Sequence, residues 1–279
     1  MMQLQTHDSR TIRDVEPRIQ GVTYLNAWPV LYGLMLGKEP ERLRMALPSV
    51  LAQRLLAREV DLALAPVATL ALRDGFEVAR GICIGADGDV ASVLIVGDRP
   101  IEELELLLLD TASRTSVVLA QLVAQHLRKG RAIATEPADH LRIAREVSGA
   151  TGAVIIGDQA LSLRHRFPHV LDLAAAWKAW TGLPFVFAAW IGQAGVIDDH
   201  VSSMLSHSLE YGLAARRDIA HMWAAQQGGD PASFEHYLTR NIRYRLDPDY
   251  LAGLSEFFAR AERAGLLPTV RYAFAGSGA

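Results

Sequence analysis

The sequence predicts an α/β protein with two lobes, a cleft between them, and helices at its C-terminal end. Short apolar strand patterns alternate with helical patterns from residue 18 to about residue 192. Strand signals then stop, and residues 198–263 read as helices. Two strand-like segments, near residues 91–97 and 185–192, stand where a chain would cross to a second lobe and return. The expected organisation is a flexible tail at 1–16, a discontinuous first lobe at 17–97 plus 187–279, and a second lobe at 98–186.

Arg18 to Val22 is a strand candidate, followed by Thr23-Tyr-Leu-Asn-Ala-Trp-Pro-Val-Leu-Tyr-Gly33. Asn26 can cap the helix that follows, and Pro29 suits its first turn. Leu43 to Leu47 reads as a second strand, and Pro48-Ser49 opens a helix through Arg58. Val60 to Ala65 is a buried strand halted by Pro66, with a short helix to Arg73. Val78 to Ile84 and Ala91 to Val96 are strands around the loop Gly85-Ala-Asp-Gly-Asp89.

The middle of the chain repeats the theme. Strands are expected at Leu104 to Leu109, Ala132 to Thr135, Gly152 to Ile156 and Val170 to Leu173. Helices are expected from Ser113 to Arg128, from Pro137 to Val147 and from Gly157 to about Arg166. Phe185-Val-Phe-Ala-Ala-Trp-Ile-Gly192 is an aromatic-rich strand. Asp198 to Gln227 forms one long helix or two, Pro231 to Arg240 another, and Pro248 to Arg263 a third, stopped by Gly265.

Composition narrows the function classes. Half of the 279 residues are hydrophobic, which is ample for a core and argues against disorder. A net charge of −3 argues against nucleic acid as a partner. Cys83 is the only cysteine, so no disulfide forms within the chain. The charged N-terminus lacks the apolar core of a signal peptide, and the apolar runs are too short or too interrupted to span a bilayer. A cytoplasmic protein without a membrane partner is expected. The C-terminal helices could support a homodimer, although packing on a lobe explains their apolar faces more simply.

Dinucleotide, P-loop, nucleophile-elbow and zinc-peptidase motifs are absent. His165 and His169 have metal-like spacing, but Pro168 interrupts it, and no metal is expected. The strongest local signal is Asp110-Thr-Ala-Ser-Arg-Thr-Ser116, between a strand and an apolar helix. A strand that opens through hydroxyl residues into a helix can seat an anion, because the first N–H groups lack partners inside the helix. Ser113 is the expected N-cap, with Arg114, Thr115 and Ser116 in the first turn. Simple capping is the commoner role for such a cluster.

In open α/β sheets, ligands sit beyond the carboxyl ends of strands. That rule gathers Tyr24 to Asn26, Pro66 and Val67, Ser113 to Ser116, and Gly157 with Asp158 around one cleft. Ser92 opens a crossing strand and faces the same gap, and Thr181-Gly-Leu-Pro-Phe185 lines it from the other crossing. Neutral donors with apolar and aromatic walls suit a small carboxylated molecule with an apolar ring.

An ordered set of motifs carries a family resemblance. It comprises Tyr24-Leu-Asn26 with Pro29 and Tyr32-Gly33, Pro48-Ser49, Val60-Asp-Leu-Ala-Leu64 and Ala91-Ser-Val-Leu94. It continues with Ser113-Arg-Thr-Ser116, Ile156-Gly-Asp158 with Ala160-Leu161, and Trp180-Thr-Gly-Leu-Pro-Phe-Val-Phe187. Over about residues 18–265 the chain resembles the chorismate dehydratase family of menaquinone biosynthesis by the futalosine route. The sister dihydroxynaphthoate synthase family carries a Ser-Pro-Cys-Pro-Asn-type motif where this chain has Thr23-Tyr-Leu-Asn-Ala27. The strand ending Leu64-Ala-Pro66 departs from the pattern, since relatives often end it in Ser.

The resemblance implies a type II periplasmic-binding-protein-like fold and conversion of chorismate to 3-[(1-carboxyvinyl)oxy]benzoate and water. No cofactor is implied, because aromatisation drives the elimination. For that reaction, Ser113, Thr115 and Ser116 are expected to hold one carboxylate, Asn26 and Ser92 to act as catalytic groups orienting the enolpyruvyl group or the hydroxyl, Trp180 and Phe185 to wall the ring, and Tyr24 to contact the substrate. The base is either Asp158 or the substrate's own enolpyruvyl carboxylate, and the shortage of cleft carboxylates favours the latter. The competing expectation is a solute-binding protein of the same fold without chemistry. A ligand-sensing domain of a regulator is a further alternative.

Overall fold

The structure is a computed structural model that describes residues 17–37 and 43–276. The tail expected at 1–16 lies outside the described residues. In chain order the first elements are β1 (Ile19–Val22), α1 (Trp28–Met35), β2 (Arg44–Ala46), α2 (Pro48–Leu56), β3 (Leu62–Pro66), β4 (Phe76–Ala86) and β5 (Val93–Gly97). There follow β6 (Leu106–Asp110), α3 (Arg114–Leu127), β7 (Ala134–Ala138), α4 (His140–Glu146), β8 (Thr151–Ile156), α5 (Gly157–Leu163), β9 (His169–Asp172), α6 (Leu173–Thr181) and β10 (Phe185–Gln193). The chain finishes with α7 (Asp199–Ala214), α8 (Arg216–Gln227), α9 (Pro231–His236), β11 (Arg243–Leu246), α10 (Pro248–Arg263) and β12 (Ala273–Ala275).

These strands form two mixed sheets. The first runs β11-β4-β10-β3-β1-β2, with β12 beside β4. The second runs β7-β6-β8-β5-β9. β1, β2 and β3 pair in parallel, as do β6, β7 and β8. β10 is antiparallel to β3 and β4, and β5 is antiparallel to β8 and β9. A strand entering from the other sheet arrives from the opposite end, so it runs against its neighbours. β3 and β5 are buried along their whole length, which explains why both read as continuous apolar runs rather than alternations.

Three sequence expectations are corrected. Strands do not end at residue 192, because β11 and β12 add to the edge region of the first sheet. β11 is only Arg-Tyr-Arg-Leu, with exposed arginines alternating with buried residues, too short a pattern to stand out. The expected helix from Pro231 to Arg240 becomes a short α-helix followed by a π-helical turn, Tyr237–Asn241. β5 belongs to the second sheet, so we propose that the chain passes between lobes at 87–92 and 173–184.

One carboxylate ties those two passages together. Asp172 caps α6 by accepting from Ala174 and Ala175 N–H at 3.0 and 3.1 Å. It also accepts from Val90 N–H at 3.2 Å and Ala91 N–H at 2.7 Å. Ala91 has φ of 64°, in the left-handed region that L-residues enter at a cost, so that turn needs external support. Replacing Asp172 with alanine removes a cap and strands two buried donors. The expected loss is about 2 kcal/mol of stability, read from urea unfolding.

Candidate active site

The site is built from the N-terminal ends of helices. Ser113 caps α3, its Oγ accepting from Ser116 N–H at 3.4 Å and from Ser116 Oγ–H at 3.1 Å. Having accepted twice, the Ser113 hydroxyl keeps its own proton for another acceptor. Ser113 and Ser116 line a cavity between the two sheets. Tyr24, Asn26, Pro48, Pro66, Phe187 and Gly157 complete much of its wall.

The cleft is closed. Backbone N–H groups of the first sheet's elements reach acceptors beyond it. Leu25 N–H donates to the Asp158 carboxylate at 3.1 Å, Ser49 N–H to the Ala112 carbonyl at 3.0 Å, and Ala68 N–H to Thr115 Oγ1 at 3.1 Å. The cavity retains about 50 Å³ of free volume. A second hollow of about 750 Å³ adjoins it, lined by Thr23, Tyr24, Asp158, His165, Trp223 and Phe234 among others. Tyr24 borders both spaces. Gly157 holds φ of 59°, and a Cβ there would lie 2.9 Å from three ring atoms of Tyr24.

Burial governs the ionisable groups. Loss of solvent pushes Asp158 up to about 6, with the Leu25 hydrogen bond pulling in the opposite direction. Burial also raises Asp110, whose carboxylate accepts from Ala112 N–H at 2.8 Å. The Tyr24 hydroxyl is pushed above its ordinary value, first by burial and then by Asp110 and Asp158. No group of three or more His, Cys, Asp or Glu able to hold a metal occurs among the described residues.

The predicted site residues separate into three sets. Tyr24, Asn26, Ser113 and Ser116 share the cavity, with Asp158 at its neighbour. Ser92 is fully buried behind it, flanked by the lining residues Val90 and Val93. The others face elsewhere. Arg114 is exposed, and the Thr115 hydroxyl is occupied by Ala68 N–H.

Trp180 stacks on His126 at 4.2 Å between ring centroids, with the Arg260 guanidinium 4.0 Å from its ring. Thr181 and Gly182 end α6: the Thr181 hydroxyl donates to the Trp177 carbonyl and accepts from Leu183 N–H. The Pro184 carbonyl accepts from Trp177 Nε1 at 3.2 Å. Phe185 is fully buried against Trp177 and Phe257. The stretch 180–185 is therefore packing, and Phe187 supplies the aromatic wall instead.

Tyr237 is a residue that sequence reasoning missed. It sits on the π-helical turn, fully buried, and its hydroxyl donates to Ser92 Oγ at 2.7 Å. π-Turns often mark functional positions, but they leave no residue pattern to read in a sequence.

Comparison with known proteins gives the following. A model of a family described as menaquinone biosynthesis matches residues 17–263. The chorismate dehydratase of Thermus thermophilus is 29% identical over 273 residues, covering 90% of this chain and 97% of that protein. The chorismate dehydratase of Campylobacter jejuni is 31% identical over 166 residues, 59% of this chain and 58% of that protein. Among solved structures, the alkanesulfonate-binding protein SsuA from Xanthomonas axonopodis aligns with a TM-score of 0.65 at 14% identity, covering 94% of this chain and 100% of that one. The periplasmic aliphatic sulphonate-binding protein SsuA from Escherichia coli aligns at 0.59 and 13%, covering 91% and 89%. At such identity the structural matches speak to fold alone, which is periplasmic-binding-protein-like.

Proposed function

Because this chain belongs to the menaquinone biosynthesis family, we propose that it is a chorismate dehydratase. It eliminates water from chorismate to give 3-[(1-carboxyvinyl)oxy]benzoate. The observation that carries this reading is the match with the Thermus thermophilus enzyme over 90% of this chain, together with a cavity whose polar groups are neutral.

The chemistry asks little of the protein. The C3–H bond breaks, its electron pair becomes part of the aromatic ring, and the C4–O bond breaks as the oxygen departs. The proton lost from C3 and the departing hydroxide together make water, so no redox partner or cofactor enters the balance. Ser113, whose hydroxyl proton is unspent, and Ser116 at the start of α3 suit a carboxylate, which the helix N-terminus also favours. Phe187 faces the ring. The substrate's enolpyruvyl carboxylate takes the C3 proton, a role that proximity makes effective. Asp158 is already engaged with Leu25 N–H and lines the neighbouring hollow.

Ligand pockets usually enclose about 300–1,000 Å³. The cavity of about 50 Å³ must therefore open to admit chorismate, and the adjoining hollow gives the route past Tyr24. Opening breaks the Leu25–Asp158 contact.

The Asp158→Asn variant separates the two candidate bases. Turnover within about threefold of wild type is expected, since the amide still accepts from Leu25 N–H. A collapse of kcat at unchanged chorismate binding would assign the base to Asp158. Stability carries a second signature. Folding raises the Asp158 carboxyl from 3.8 to about 6, so the folded state holds the extra proton. Its stabilising contribution is present below pH 4 and is lost as pH rises through 6. The displacement corresponds to at most about 3 kcal/mol. Urea titrations across pH 4–7 should show that Asp158→Asn flattens this decline.

The founding test is direct: purified protein with chorismate, loss followed by absorbance and product identified by mass. Formation of the enolpyruvyl-ether benzoate supports the reading. Saturable thermal stabilisation without turnover would leave a binding protein and overturn it.

A further inference from the structure

The hydroxyl of Tyr237 has one proton and one polar side-chain partner among the described residues. It donates that proton to Ser92 Oγ at 2.7 Å. One orientation follows. Ser92, having accepted at Oγ, keeps its own proton as a donor.

The two groups come from distant parts of the chain. Ser92 lies in the passage between the sheets and Tyr237 on the π-helical turn. Ser92 also receives Gly157 N–H on its backbone carbonyl at 2.8 Å, so its backbone is fixed while its hydroxyl is turned by Tyr237 alone among the described side chains.

We propose that Tyr237 is a positioning residue of the dehydration site, which holds the Ser92 hydroxyl so that its free proton turns toward the cavity bounded by Val90 and Val93 on either side of it. This rests on the chorismate dehydratase reading and deepens it. A donor at the departing C4 oxygen is a direct demand of the elimination. Without the phenol, the Ser92 proton can turn away, and misorientation of such a group costs catalysis more than binding.

The test compares the full-length wild type with Tyr237→Phe, Ser92→Ala and the double variant, measuring kcat, KM and unfolding midpoint. Tyr237→Phe is expected to lower kcat by about 100-fold with KM within about twofold, the size of effect that small misplacement produces. The double variant should turn over no more than about threefold slower than Ser92→Ala, because groups acting as one unit are not additive. A Tyr237→Phe enzyme with wild-type kcat overturns the proposal, as does an effect fully additive with Ser92→Ala. If Tyr237→Phe does not fold, 3-fluorotyrosine at position 237 replaces it. That stronger phenol donor should change kcat by about twofold or more at unchanged KM, and an unchanged kcat overturns the proposal. Inactivity of the wild type itself would instead overturn the dehydratase reading, so the two failures are distinct.

Discussion

Replacing Asn26 with leucine should lower kcat for chorismate by about 10³-fold while moving the unfolding midpoint by only a few degrees. Asn26 lines the cavity beside Pro48 and Pro66, yet it keeps partial exposure, so it contributes little to the core. Leucine keeps the branch at Cγ, although it is the bulkier side chain, and removes every hydrogen bond of the amide. The change removes the amide that the proposed reading turns toward substrate. Loss of a single preorganised polar group in a water-poor site commonly costs 10²- to 10³-fold, roughly 3–4 kcal/mol in the barrier. Steady-state kinetics alongside thermal unfolding decide it. A variant with near-normal kcat would remove Asn26 from the chemistry, and one that unfolds would make it structural.

Gly212→Ala is expected to be the most damaging single-methyl change, costing about 3 kcal/mol and lowering the thermal midpoint by on the order of 10 °C. Alanine ordinarily strengthens a helix relative to glycine, so the sign is opposite to propensity. The reason is the crossing of α7 over α1. A Cβ at position 212 would fall inside the van der Waals envelope of the Pro29 carbonyl, which is backbone and has no freedom to swing away. Nearby, the Ser208 hydroxyl donates to the Val30 carbonyl at 2.8 Å and accepts from Leu34 N–H at 3.1 Å, locking the same pair of helices. Because α1 begins two residues after Asn26, pushing the helices apart also moves the turn that carries Asn26. Calorimetry on the purified variant measures the first effect, and a rise in KM at permissive temperature measures the second. A midpoint equal to that of wild type would mean that the crossing relaxes freely.

What could be read from the sequence depended on whether the signal was local. Ser113 and Ser116 were legible because a strand, a cap and an apolar helix follow each other within a few residues. Asn26 and Asp158 were legible for the same reason, each lying where a strand gives way to a helix. The stretch Trp180 to Phe185 misled because aromatic residues build cores as readily as binding walls. Here Trp177, Phe185 and Phe257 pack edge to face, and Trp180 lies outside the cleft. Phe187 was hidden within the apolar run of β10, where full burial erases the alternation that would assign a face. Tyr237 was invisible for a different reason. Its partner Ser92 is 145 positions away, and nothing in Phe234-Glu-His-Tyr-Leu238 distinguishes a site tyrosine from a packed one.

The place of β10 in the first sheet has a consequence for biosynthesis. β10 lies between β3 and β4, strands that precede it by about a hundred residues, and its Ala188 pairs with Pro66 and Ile84. At about 5–20 residues per second, a ribosome needs on the order of 10 s to deliver it after β3 has emerged. During that interval β3 and β4 cannot be neighbours, because the native gap between them is one strand wide, and each presents an apolar, unpaired edge. The nascent polypeptide is therefore most exposed to strand-edge aggregation midway through translation, and this is when a holding chaperone would have the most to protect.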